Sequence, residues 1–166
     1  MKNKPEISAE SVSRVVIYNP ETGIFTRKIR TSNRTKVGAI LGTPNDQGYL
    51  LVSVENYLYR AHRLAWLLMT GKWPSGDIDH KNGNRADNRF CNLREATRSQ
   101  NMANMKTKKN VSGIKGVVWN KFYEKWQSQI GKDGKCIFLG LYHEKAEAAE
   151  ARRLGAIKYH GEFTRT

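Results

Sequence analysis

Between Met102 and Ser112 the chain reads Met-Ala-Asn-Met-Lys-Thr-Lys-Lys-Asn-Val-Ser, polar, basic and short of large apolar side chains. A segment with so little apolar surface is not core material, so it makes a natural boundary and leaves room only for small modules on either side. The expected organisation is a domain over residues 1–105, a basic linker at 106–112 and a second domain over 113–166. The longest obvious apolar stretch, Leu64 to Met69, is six residues, far short of the roughly 18 a membrane span needs. The N-terminal Met-Lys-Asn-Lys-Pro-Glu leads into no apolar core, so neither a secretory signal nor a membrane role is expected. Cys91 and Cys136 stand alone without Cys-x-x-Cys spacing, which argues against a structural zinc site and for buried or free thiols in a reducing, cytoplasmic setting.

Charge narrows the partner. Lys plus Arg is 29 against 15 for Asp plus Glu, a net of +14, which calls for a polyanion. Nucleic acid, an anionic membrane and heparin-like polymers all satisfy that demand. The excess is not a tail: residues 1–105 hold 16 bases and 9 acids, and residues 106–166 hold 13 and 6. Both halves are built to meet a polyanion.

Residues 14–62 read as short strands joined by tight turns. Val15, Val16 and Ile17 precede Pro20-Glu21-Thr22-Gly23, a turn sequence, and then Ile24-Phe25-Thr26. No acid falls between Glu21 and Asp46, whereas Arg27, Lys28, Arg30, Arg34 and Lys36 do; the face is either solvated or in contact with phosphates. Gly48 to Val54, the pair Glu55-Asn56, and Tyr57 to Arg60 form a hairpin pattern. Helical spacing begins at Ala61 with Leu64, Ala65 and Leu68, and Gly71 and Pro74 end it. His62 on this helix is read as a packing residue, since nothing adjacent completes a site.

The chemistry-bearing stretch runs from Gly76 to Asn101. Asp79 and His80 are adjacent, and Asn82-Gly83 is a turn signal directly after them. Asn92 to Ala96 fits a second short strand, and Thr97 with Gln100 fits a capping box opening a helix that carries Asn101. The local plan is strand, loop, strand, helix. Phosphodiester hydrolysis needs a base for water, a cation for developing charge, and geometry holding both at one phosphate. Histidine is an uncharged base near neutral pH; a hard divalent ion takes oxygen ligands, often one or two carboxylates with water and substrate phosphate. Asp79 can supply the carboxylate and Asn101 an amide oxygen. On the residues alone, turn chemistry stands beside this reading, because Asn and Asp also bond to nearby backbone.

From Tyr-Arg-Ala-His-Arg-Leu-Ala-Trp through Ile-Asp-His-Lys-Asn-Gly-Asn to Asn-Leu-Arg-Glu-Ala-Thr and Gln-Asn, residues 59–105 resemble the HNH endonucleases common in bacteriophage genomes. The resemblance implies a ββα-metal core in which His80 is the general base, Asn92 the middle Asn that fixes the loop and orients it, and Asp79 and Asn101 the metal ligands. Asn in the last position is a variant of the homing subgroup, which lacks zinc-binding cysteine pairs. The implied cofactor is a divalent ion, Mg²⁺ first and Mn²⁺ second, with no structural zinc.

Beyond the boundary, Gly113 to Trp119, Lys125 to Ile130 and Lys135 to Leu139 are strand candidates, and Asp133-Gly134 marks a hairpin turn. A helix is expected from about Glu144 to Tyr159, where Ala146, Ala148, Ala149, Ala151, Gly155 and Ala156 permit close approach to a sheet. Gly161 is a suitable terminator. Ser-Gly-Ile-Lys-Gly-Val-Val-Trp, Lys-Trp-Gln-Ser-Gln-Ile, Phe-Leu-Gly-Leu-Tyr and Tyr-His-Gly-Glu-Phe resemble the plant Apetala/ethylene-response-factor DNA-binding domain. That family lays its sheet in the major groove, which admits strands. The resemblance places Lys115, Val118, Asn120, Gln129, Cys136 and Phe138 at DNA; several are Arg, Glu or Trp in the plant proteins, so their sequence preference does not transfer. Lys121, Lys125, Lys132 and Lys135 are added as phosphate contacts, and Trp119 and Trp126 are expected to face the helix as core.

The expected chain is therefore α+β: N-terminal β-hairpins, a ββα-metal nuclease core, then a three-stranded antiparallel sheet on one α-helix. Its expected partner is double-stranded DNA, with no small-molecule substrate. The expected activity is metal-dependent hydrolysis of a DNA phosphodiester; the rival is a sequence-specific DNA-binding protein with an idle core.

Overall fold

The computed structural model describes residues 6–105 and 110–164. The first helix, α1 (Ala9–Val15), starts at Ser8, whose side chain accepts from the Ser11 amide. The β-branched run Val15-Val16-Ile17 suggested an extended start, and it does become β1 (Val16–Tyr18), but only after this capped helix. β1 pairs antiparallel with β2 (Phe25–Arg27), and β2 with β3 (Ile40–Leu41). The turn between β1 and β2 is closed by the Gly23 amide donating to the Asn19 carbonyl.

A second sheet holds β4 (Thr43–Pro44), β5 (Leu50–Val54) and β6 (Tyr57–Arg60) in that order. The β5–β6 turn puts Glu55 and Asn56 at positive φ, 50° and 66°, the twist a two-residue hairpin requires. Helix α2 (Ala61–Thr70) follows directly and stops at Gly71, left-handed at φ 75°. Val52, Val54 and Tyr59 from the sheet, Leu64, Ala65 and Leu67 from α2, and Val12, Val16 and Phe25 from the N-terminal elements form one core. Ile78 and Leu93 join it. They lie on β7 (Asp77–His80) and β8 (Leu93–Ala96), a two-stranded sheet. Because strand residues alternate faces, burying Ile78 against this core fixes which way its neighbours point.

Helix α3 (Arg98–Asn104) begins with the capping box read from the sequence: Thr97 accepts from the Gln100 amide, and the Gln100 side chain accepts from the Thr97 amide. The strand, loop, strand, helix order is present. The chain divides into two compact units between Glu95 and Ala96, inside β8, so α3 belongs to the second unit. The sequence placed the boundary at 106–112, of which residues 106–109 lie outside the described part.

In the second unit β9 (Val117–Asn120), β10 (Lys125–Lys132) and β11 (Lys135–Tyr142) form an antiparallel sheet with β10 in the middle. Helix α4 (Lys145–His160) packs through Ala148, Gly155 and Ala156. A Cβ at Gly155 would lie 2.7 Å from a Leu139 methyl, so glycine there sets how closely α4 meets the sheet. Val117, Ser128 and Ile130 are buried and, by register, share the face turned to α4 with Trp119 and Trp126. The two tryptophans meet edge to face at 5.2 Å. The direction expected for them holds, but Trp119 is 43% exposed; it lies at the sheet's end, beyond the part that α4 seals.

Candidate active site and nucleic-acid surface

Asp79 and His80 end β7 and both are buried. The His80 Nε2 lies 3.4 Å from the Asn88 Oδ1. The Asn88 amide nitrogen donates to the Ala86 carbonyl at 3.1 Å, which turns its oxygen to the ring. That oxygen only accepts, so the contact is a hydrogen bond in the tautomer that carries its proton on Nε2 and its basic lone pair on Nδ1. Burial pushes His80 below its usual value, with Arg85 in the same direction, against the Asn88 hydrogen bond and the Asp79 and Asp87 carboxylates. An imidazole kept neutral is the form a base requires.

The loop between β7 and β8 holds itself by side-chain amides. Asn92 Oδ1 accepts from the Asn82 amide at 3.0 Å, and its Nδ2 donates to Asn82 Oδ1 and to the Asp87 carbonyl. Asp87 takes hydrogen bonds from Asn82 and from Arg89. The Arg89 hydrogen bonds hold its carboxyl at about 2. Asn92 thus shapes the loop, while Asn88 supplies the amide oxygen at His80.

Asn88 itself is positioned from the N-terminal hairpin. Tyr18 Oη donates to the Asn88 carbonyl at 2.7 Å, and the Phe90 amide donates to the Pro20 carbonyl at 2.9 Å. Gly23 has φ 72°, and a Cβ on it would come within 2.5 Å of the Arg89 nitrogen and 2.6 Å of the Asn88 carbonyl carbon. Only glycine allows that approach.

His62 does pack, and what it packs against is the site. It is 2% exposed, and its ring meets His80 edge-on at 5.0 Å. Burial, His80, Arg60 and Arg63 lower it to about 3, and its Nδ1 has no hydrogen-bond partner among the described residues. Tyr49 stands 5.0 Å from His62 and 6.0 Å from His80. The guanidinium groups of Arg60 and Arg85 lie over the Tyr49 ring at 4.9 and 4.8 Å, so fixed positive charge borders the base. Sequence spacing pointed to none of Asn88, Tyr49, Arg60 or Arg85, because they converge through tertiary packing.

Asp79 Oδ2 pairs with Arg94 at 2.8 Å, and both side chains are largely buried. Among the described residues no group of three or more His, Cys, Asp or Glu side chains is placed to hold a metal ion. A hard cation that keeps most of its water needs no such group; one carboxylate with an amide oxygen suffices in kind. Asp79 fits, with Arg94 as the competitor a cation would meet. Asn101, the other expected ligand, lies on α3 in the second unit.

The sheet of the second unit has a face turned away from α4. By register it carries Val118, Asn120, Lys125, Gln127, Gln129, Cys136 and Phe138. The Asn120 amide donates to Gln127 and the Gln127 amide to Gln129, each at 2.9 Å, an ordered ladder in which Gln127 joins the residues expected from sequence. Phe138 and Val118 are exposed. Lys121 stands exposed in the β9–β10 turn, and Lys132 and Lys135 face the α4 side at the β10–β11 turn, with Lys132 near the Tyr159 ring. Lys115 is engaged internally: its Nζ donates to the Met102, Ala103 and Met105 carbonyls, the last turn of α3, where a cation is favoured.

Residues 59–103 match the family profile described as HNH endonuclease, a span that carries Asp79, His80, Asn92 and Asn101. The chain is 41% identical over 78 residues to Protein 3.8 of Escherichia phage T7, covering 46% of this chain and 64% of the relative. It is 31% identical over 114 residues to an uncharacterized HNH endonuclease of Acanthamoeba polyphaga mimivirus, covering 68% and 59%. The chain therefore spans less than two thirds of each relative's length. No solved structure matches it significantly.

Proposed function

We propose that the chain is a metal-dependent DNA endonuclease of the HNH homing kind, in which His80 removes a proton from the attacking water. The observation that carries this is a buried, neutral His80 held in one tautomer by Asn88, beside the Asp79 carboxylate, inside the span that matches HNH endonucleases. The base needs a fixed lone pair and no charge at neutral pH; Asn88, His62 and the burial around them provide both. Arg60 and Arg85 bring positive charge to the phosphate that approaches His80. Asn92 keeps the β7–β8 loop in the form that presents Asn88.

Asp79 and Asn101 are the residues that would hold a divalent ion, Mg²⁺ or Mn²⁺. Such an ion supplies neutralisation of charge on the phosphate and the departing 3′ oxygen. The products would carry 5′-phosphate and 3′-hydroxyl ends.

The second unit is the binding module, of the Apetala/ethylene-response-factor kind, with the open sheet face in the major groove. Asn120, Gln127 and Gln129 present amides, the groups that read adenine edges, and Lys121 and Lys125 serve phosphates. The partner is double-stranded DNA. Plasmid incubated with the full chain, with and without Mg²⁺ or Mn²⁺, tests the reading: metal-dependent nicks or breaks are expected. Tight binding without any strand break under either ion would replace it with the binding-protein reading.

A further inference from the structure

In the second unit, between α3, α4 and the β10–β11 turn, lies a cleft of about 690 Å³. Arg98, Lys115, Lys132, Lys135, Arg152 and His160 line it. Asp133 is the only acidic residue in the lining, and it makes no ion pair among the described residues.

Arg152 decides what the cleft is for. Its Nε is sealed from solvent with no acceptor, and the half-buried guanidinium makes no hydrogen bond or ion pair among the described residues. A desolvated guanidinium without an acceptor is costly, and burial depresses its proton affinity accordingly. Lys115 is satisfied by the α3 carbonyls but still repels Arg152. Burial, Arg152, Lys115 and Lys132 all disfavour the charged form of His160, against its hydrogen bond to the Gly131 backbone. The fold has gathered cations that make no ion pair among the described residues, with Asp133 the one acid in the lining.

We propose that this cleft binds a phosphate group of the DNA backbone, at a site separate from the open sheet face, with Arg152 as its central donor. The inference rests on the reading of the chain as DNA-binding. Phosphate is the anion the guanidinium fork matches. The volume suits a nucleotide-sized piece of backbone rather than a lone ion. Arg98 and Lys135 stand exposed at the rim to meet the neighbouring phosphates.

The test uses the full chain, in EDTA so that DNA stays intact, with a duplex of about 30 base pairs titrated at several salt concentrations. Arg152→Gln is expected to weaken binding about tenfold at moderate salt, equally on specific and scrambled duplexes, and to flatten the salt slope by about 0.9. Arg98→Gln, on the exposed rim, gives the same direction with a smaller loss and keeps the test alive if Arg152→Gln fails to fold. Wild-type affinity and slope in a folded variant pair would overturn the proposal. If the wild-type chain does not bind duplex DNA, it is the DNA reading that fails. Inorganic phosphate, followed at the Arg152 Nε–H by NMR, then decides the cleft alone: a saturable shift retains the anion site, and none removes it.

Discussion

The two units treat their polar side chains in opposite ways. Around His80 most polar groups are turned inward. Asn88 bonds His80 and the loop backbone, and Asn92 bonds Asn82 and the Asp87 carbonyl. Asp87 bonds Asn82 and Arg89, and Arg94 bonds Asp79, while His62 Nδ1 is the exception among the described residues. In the second unit the open sheet face presents an amide ladder, the exposed Lys121 stands in the β9–β10 turn, and the cleft holds an Arg152 with no hydrogen-bond partner among the described residues. A reacting centre gains from fixed dipoles and excluded water, because its groups are then worth more and need not reorganise. A binding surface gains from donors left unsatisfied until the ligand supplies the acceptors. The contrast agrees with the proposed division, in which chemistry sits in the first unit and recognition in the second.

The hardest blow to that division falls on His80. His80→Ala is expected to lower cleavage by about 10²–10⁴-fold while duplex affinity in a gel shift stays near wild type. Robust cutting by the purified variant would take the base away from this residue. Asn88→Ala comes next, with about 10–100-fold less cleavage, since the tautomer is no longer fixed. If Asn92→Ala hurts and Asn88→Ala does not, the orienting role belongs to Asn92 after all.

Gly23→Ala sharpens the claim that the site is built from outside itself. The substitution sits at positive φ and pushes on the Asn88–Arg89 backbone, so about a tenfold loss of cleavage is expected, with KM little changed. A variant as active as wild type would show that the hairpin does not set Asn88.

Acid should destabilise the first unit through its buried histidines. His62 sits at about 3 when folded, against about 6.5 unfolded. Above pH 6.5 both states are neutral and the stability is fully present. As pH falls toward 3 the unfolded chain takes up a proton that the folded one refuses, and stability is lost at up to about 1.4 kcal/mol per pH unit. Hydrogen exchange of the Val52 and Val54 amides across that window reads it, and His62→Leu should flatten the slope. The smallest effect separates the roles on the open face: Lys125→Ala should flatten the salt slope by about one with preference kept, and Gln129→Ala should change preference with the slope kept. An exchange of those two outcomes would reverse the assignment.

Much of this was legible in the chain. The Thr97/Gln100 box, the Glu55-Asn56 hairpin turn, the stop at Gly71 and the three strands before a small-residue helix are local signals, and they appear where the sequence put them, save that the first of the strands begins at Val117 rather than Gly113. Helix α1 was missed because it is only seven residues long, announced by one Ser8 cap, and runs straight into the β-branched Val15-Val16-Ile17. The surroundings of His80 were hidden for a different reason. Tyr49, His62 and Asn88 lie at unrelated spacings and meet only after the sheets, α2 and the loop have packed. Trp119 was overrated as core because alternation gives a side chain's face and not the extent of the cover over it.

The Asp79–Arg94 pair has a practical consequence. A buried carboxylate that relied on a cation for its counter-charge would tie folding to the metal, as in small metallo-domains that melt when stripped. Here the guanidinium already neutralises it, so the first unit can assemble with no ion in place. A chelator should therefore silence this protein without unfolding it, and adding the ion back should restore it at once.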